Sequence, residues 1–172
     1  MTPKIHKILY ATDLSQNSAY VFRYALDSAK KHNAKIIILH VLEKMPVTAM
    51  ALVETFITER ELDTLFQEKI TSTMNRIQEN LKIFCDTELE DDPQCKNRVE
   101  SIKVRGGFPA DMILRMADEL NCDAIIMGTH ARGAIANTFL GSTAKRVLRR
   151  TRKPVFIIPL PKEEIDLSFQ NI

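Results

Sequence analysis

Short apolar runs alternate along this chain with longer stretches in which apolar residues recur at helical spacing. Residues 5–10 form the first run and read as a short buried strand. The run ends in Ala11-Thr12-Asp13, and Ser15 follows in a position to cap a helix. Ala19, Phe22, Ala25, Leu26 and Ala29 then repeat with a helical period, which predicts a helix over about 16–32. Residues 35–41 (KIIILHV) come after an Asn-Ala break and are apolar without alternation, as in a strand covered on both faces. From Glu54 onward Phe56, Ile57, Leu65, Phe66, Ile70, Met74, Ile77, Leu81 and Phe84 make one stripe on a long helix, whose expected use is core packing rather than a partner surface. The acidic segment 86–92, with Pro93 behind it, reads as a solvated loop.

The second half repeats the theme. Residues 98–105 alternate apolar and polar as a strand does, and Gly106-Gly107-Phe108-Pro109 reads as a turn. Residues 110–120 follow as a helix with Ile113, Leu114 and Ala117 inward, then 123–127 (DAIIM) as another buried strand. A polar, Gly-containing loop runs through Leu140, Gly141-Ser142-Thr143 opens a helix to about Arg150, and 154–159 (PVFIIP) is the last strand, expected at a sheet edge. Strands alternating with helices in this order predict an α/β fold: one doubly wound parallel sheet with helices on both faces. One domain over 1–160 and a polar tail over 161–172 account for the chain.

In such sheets ligands sit beyond the carboxyl ends of the strands, where the winding direction switches. Two loops meet that condition: 11–15 after the first strand, and 128–143 after the fourth. If the strands are ordered 3-2-1-4-5, these loops face each other across one crevice. The second loop has the chemistry for a phosphate. Gly128 follows a strand directly, and Gly141-Ser142-Thr143 precedes a helix directly. Free backbone N–H groups, the positive end of a helix dipole and the lack of a bulky Cβ suit an anion. Ser142 and Thr143 add hydroxyls, and Arg132, beside Gly133, has the reach for a terminal phosphate. The same residues also read as an ordinary capped helix after a long loop.

Composition narrows the classes. The chain has 172 residues, of which 45% are hydrophobic, enough for one sizeable core. A net charge of +2 does not point to nucleic acid. Lys145, Arg146, Arg149, Arg150, Arg152 and Lys153 form a basic cluster without interleaved aromatics, so a solvated helix face is expected. Cys85, Cys95 and Cys122 have no metal-ligand spacing, nor do His6, His32 and His40, and Cys122 is expected to be buried. The first residues lack the apolar stretch of a signal peptide, and no run approaches the roughly 20 apolar residues of a membrane span, so a cytoplasmic location is expected. His130 lies in the candidate loop, but no nucleophile pairs with it in sequence, and it reads as a loop-holding residue rather than a general base. No catalytic residue is assigned.

Three segments together resemble the universal stress protein family: ILYATDLSQNSAYVFRYALDSAKKHNAKIIILHV, GGFPADMIL and GTHARGAIANTFLGSTAKRVLRRTRKPVFIIP. The resemblance runs from Lys4 to Pro159 and is weakest between about 45 and 97. It implies a five-stranded parallel sheet in the order 3-2-1-4-5 and a homodimer formed through the last strand. ATP-binding members carry the pattern Gly-x2-Gly-x9-Gly-Ser/Thr. Here Gly128 fills its first position and Gly141-Ser142 its last two, while Ala131 stands at the middle position and Gly133 lies two residues on. If the backbone at 131 must take positive φ, alanine costs about 1 kcal/mol or more; if only close approach is required, a methyl group fits. By position, Ala11, Thr12 and Asp13 resemble residues that meet ribose and adenine, Val41 the residue whose backbone reads the adenine edge, and Met127 an apolar wall of the pocket. Asp13 equally reads as a cap of the first helix. The resemblance implies an ATP-, ADP- or AMP-binding regulatory protein, with or without Mg2+, that acts as a dimeric switch. A nucleotide-free dimeric scaffold, favoured by Ala131, and a weak ATPase are the alternatives. For the ATPase, Asp13 and Ser142 are the plausible metal contacts.

Overall fold

The computed structural model describes residues 3–15, 18–43, 59–90, 95, 97–129 and 140–159, and for 59–67 and 69 the backbone alone. The described residues hold five strands: β1 (Lys7–Thr12), β2 (Lys35–Glu43), β3 (Val99–Gly107), β4 (Ala124–Gly128) and β5 (Val155–Ile158). All pair in parallel, in the order β3-β2-β1-β4-β5. Among the described residues four helices connect them: α1 (Ser18–His32), α2 (Glu59–Glu88), α3 (Pro109–Glu119) and α4 (Ser142–Arg150).

The alternation of side chains along each strand sorts the core into two layers. Ile8 and Tyr10 of β1, Ile36 and Ile38 of β2 and Ile126 of β4 point to one face. There they meet Val21, Phe22, Ala25 and Ala29 of α1 and Ile77, Leu81 and Cys85 of α2. Leu9, Ile37, Leu39, Ile125 and Met127 point to the other face, against Ala110, Ile113, Met116 and Ala117 of α3 and Ala144 and Val147 of α4. Burial on both faces is why these strands read as unbroken apolar runs. A row of rings ties the first layer together. Tyr10 lies 5.5 Å from Phe22, and Phe22 lies 5.5 Å from Phe84 of α2. Each fully buried aliphatic or aromatic side chain contributes about 1.5–3 kcal/mol of transfer free energy.

Two helices end in the same way. Asn33 (φ 52°) follows α1 and Asn121 (φ 52°) follows α3. The next N–H groups, of Ala34 and Cys122, donate to Ala29 and Ala117 at 2.9 Å each. Asparagine enters the left-handed region more cheaply than most residues, so each helix is closed and the chain turned into the next strand. Asp123 then fastens the sheet from below, its Oδ2 accepting from the N–H groups of His6 (2.7 Å) and Lys7 (2.9 Å).

Several boundaries differ from expectation. Ala11 and Thr12 belong to β1 rather than to the loop after it, and β2 runs two residues past Val41. Asp86, Thr87 and Glu88 are helical, not loop, with Leu89 buried just beyond. Gly106 and Gly107 continue β3, paired with Leu42 and Glu43, instead of turning. Of the long stripe, Ile77 and Leu81 are buried, and Met74 and Phe84 pack at the margin of the same core. Phe56 and Ile57 lie outside the described residues, as do the side chains of Leu65 and Phe66. Cys122 is buried, and so are Cys85 and Cys95. Among the described residues no helix is long and apolar enough to cross a membrane.

The double glycine separates two demands. Gly107 has φ 151°, and a Cβ there would stand 2.9 Å from the Met112 methyl group, whereas a Cβ on Gly106 meets nothing nearer than the Leu42 carbonyl at 4.0 Å. Gly107→Ala is expected to destabilise the fold by about 1–3 kcal/mol and to lower the melting temperature. Gly106→Ala should leave the melting temperature within a degree or two of wild type, as about 0.5 kcal/mol or less is at stake. Thermal denaturation of the two variants checks the contrast.

Candidate functional site

At the carboxyl end of the sheet β1 and β4 are neighbours, and the chain leaves them toward opposite faces. α1 follows β1 onto one layer, and α4 follows β4 onto the other. The divergence leaves a cavity of about 420 Å3. Ala11, Thr12, Asp13, Val41, Met127, Gly128, Gly141, Ser142 and Thr143 all line it. His130, Ala131, Arg132 and Gly133 lie outside the described residues. Sequence reading missed His40, Ser18, Thr129, Pro109 and Ile113, which line the same space.

Two strand ends form the floor. Ala11 sits opposite Met127 in the β1–β4 ladder, and Thr12 opposite His40 in the β1–β2 ladder. Beyond Thr12 a directed chain of hydrogen bonds shapes the turn. The Leu14 N–H donates to Thr12 Oγ1 (3.2 Å), Thr12 Oγ1–H to Ser18 Oγ (3.0 Å), and Ser18 Oγ–H to Asp13 Oδ1 (3.3 Å). The Ser15 N–H donates to the same Asp13 oxygen at 3.0 Å. Each hydroxyl gives one bond and takes one, and the series ends on the carboxylate, the strongest acceptor available. Asp13 Oδ1 thus closes the turn that leads into α1, accepting from the Ser15 N–H and the Ser18 hydroxyl rather than from the helix's own backbone N–H groups. The chain holds Leu14 at φ 60°, a conformation that costs a bulky residue on the order of 1 kcal/mol and that only surrounding structure sustains.

The opposite wall is the start of α4. Gly141 precedes it in an extended conformation (φ −64°, ψ 157°) that any residue could adopt, and no side chain caps the helix. The first backbone N–H groups of a helix have no partner within it and carry the positive end of its dipole. Here they open toward the cavity that Gly141, Ser142, Thr143 and Ala144 line. A short neck holds them in place: the Gly141 N–H donates to the Thr129 carbonyl (2.7 Å), and the Thr129 N–H to Ile158 of β5 (3.1 Å). The first turn of α3 adds a second wall through Pro109 and Ile113, and an ion pair between Arg150 of α4 and Asp111 of α3 links the two helices. Of the basic cluster, Arg150 is thus engaged, Lys153 pairs with Asp118 at 3.3 Å, and Lys145, Arg146, Arg149 and Arg152 are exposed. The arrangement offers an anion a row of amide donors, and a planar apolar group a slot between Val41, Met127 and Ile113.

His40 is 9% exposed. Its Nδ1 lies 2.9 Å from the Thr12 carbonyl oxygen. A carbonyl only accepts, so Nδ1 carries the proton. Burial lowers the His40 pKa below 6.5, against the opposing effects of the Thr12 bond and the Asp13 charge. The ring is therefore neutral at neutral pH.

A parallel 3-2-1-4-5 sheet with a lined cavity at its switch point defines a doubly wound type of α/β protein. Residues 4–159 match the family model described as the universal stress protein family, and the chain belongs to that family. A universal stress protein of Methanocaldococcus jannaschii is 26% identical over 165 residues, covering 92% of this chain and 97% of its own. The solved structure of that archaeal protein superposes with a TM-score of 0.64 at 25% identity, over 94% of this chain and 100% of that one. The universal stress protein UspA of Lactobacillus plantarum gives a TM-score of 0.71 at 18% identity, over 91% of this chain and 99% of that one. A universal stress protein solved in complex with cAMP gives 0.51 at 21%, over 91% and 98% of the two chains.

The lowered pKa of His40 has a sign that can be checked. Between 6.5 and the lower folded value, the unfolded chain binds more protons than the native one, so stability should fall as pH drops through that window. An NMR titration should place the His40 midpoint below 6.5, and His40→Asn should flatten this part of the stability–pH curve.

Proposed function

We propose that this chain is an adenine-nucleotide-binding regulatory protein of the stress response, a dimeric switch that holds ATP, ADP or AMP in the cavity at the β1–β4 switch point, with residues 1–160 as the nucleotide-binding unit. The observation that carries this reading is the uncapped α4 N-terminus opening on the same cavity as the ends of β1 and β2. Phosphates would take the amide donors from Ser142 onward, and the base would lie against Val41 and Met127. A cavity of about 420 Å3 is within the range of small-ligand pockets. The relative solved with cAMP supports an adenine nucleotide as the ligand class. Mg2+ would accompany ATP. Ala131 is the feature that favours the alternative, a scaffold without nucleotide.

Dimerisation has a structural motive. α1 and α2 cover the first face of the sheet as far as β4, and Phe156 of the edge strand β5 stays 40% exposed. A second copy adding its own β5 would cover that ring and pair the open edge.

Isothermal titration with ATP and Mg2+ tests the first part. Gly141→Arg introduces no backbone strain, because φ at 141 suits any residue. It fills the phosphate seat, and binding should weaken by a factor of about 10 or more, equal to about 1.4 kcal/mol. Unaltered affinity in the variant, or no affinity in the folded wild type, removes the proposed site. Sedimentation equilibrium tests the second part: the wild type should be a dimer and Phe156→Asp should shift it toward monomer, while a monomeric wild type refutes the assembly.

A further inference from the structure

His40 lines the cavity, and one atom of its ring is left uncommitted. His40 Nδ1–H is spent on the Thr12 carbonyl, which leaves Nε2 as an unprotonated acceptor. Among the described residues Nε2 has no hydrogen-bond partner. Nor is it buried away from contact: the one buried side-chain nitrogen or oxygen without a partner there is Arg98 Nε. His40 lines the cavity and stands directly across from Thr12 in the β1–β2 ladder, with Asp13 the next residue. A neutral, oriented, accessible acceptor on a residue that lines a cavity is a position where a ligand lacking a donor leaves a polar group unpaired, and such sites discriminate strongly.

We infer that His40 is a specificity-determining residue of this cavity, its Nε2 accepting a hydrogen bond from a donor on the nucleoside part of the ligand. This rests on the nucleotide reading above. The donor is an exocyclic amine of the base or a ribose hydroxyl, chemically equivalent as N–H or O–H groups. The Thr12 carbonyl orients the ring, so the acceptor is fixed before the ligand arrives, with little ordering left to pay on binding.

The test compares ATP with inosine triphosphate, 2′-deoxy-ATP and 3′-deoxy-ATP, each of which changes or removes one donor. In the wild type one analogue should bind about tenfold more weakly than ATP. In His40→Asn, whose amide can still reach the Thr12 carbonyl but offers nothing at the Nε2 position, ATP should fall to the level of that analogue and the gap should close. A folded His40→Asn that keeps every wild-type gap overturns the inference. A second readout needs no variant. The 15N resonance of His40 Nε2 in the wild type should move with ATP and stay in place with the analogue that lost the donor. A resonance unmoved at saturating ATP also overturns it. If the folded wild type binds none of the four nucleotides, the underlying reading fails as well, a result distinct from binding without discrimination.

Discussion

The adjacency of β1 and β4 governs everything else in this molecule. They are consecutive in the sheet but far apart in the chain, and their register sets Ala11 beside Met127. Right-handed crossovers then leave little freedom. β2 and β3 must lie on one side of β1 with α1 and α2 above them, and β5 on the other side of β4 with α3 and α4 below. The opening between the two windings is a by-product of handedness. No residue has to be sacrificed from the core to create it, so Leu9, Ile37 and Ile125 remain fully buried directly beneath the site.

The strand-and-helix alternation was readable because parallel strands buried on both faces leave uninterrupted apolar runs such as KIIILHV, and because α1 and α3 keep an apolar stripe of helical period. The boundaries were less readable where composition and pairing disagree. Two consecutive glycines look like a turn, yet Gly106 and Gly107 are held in β3 by β2, and the positive φ of Gly107 appears at the strand's last residue. Asp86 and Glu88 look like loop, but Asp86 lies on the solvent side of a helix end whose inner side carries Cys85 and Leu89, and Glu88 is ion-paired with Arg23 of α1 at 2.9 Å.

The site divides along the same line. The glycines and the strand-end residues stand out locally, and Ala11, Thr12, Asp13, Val41, Met127, Gly128, Gly141, Ser142 and Thr143 come together around one space. His40 does not stand out, because a lone polar residue in an apolar run carries no signal of direction. Its meaning comes from a parallel register that places it across from Thr12, a fact of pairing rather than of spacing. Ser18 is similar: as the first residue of α1 it looks like a helix-start serine, and only the folded turn shows it relaying a hydrogen bond between Thr12 and Asp13.

The neck between Thr129 and Gly141 has a consequence for how such a domain can diversify. Both ends of the intervening segment are fastened to the sheet, one through Ile158 and the other through Thr129 itself. The helix start is thereby insulated from whatever length of chain is spliced between them. Closing a longer excursion costs only about 0.6 kcal/mol for each doubling of its length. The fold thus separates a fixed cradle from an exchangeable connection, and variation in length and chemistry can accumulate in that connection without disturbing the strands that carry it.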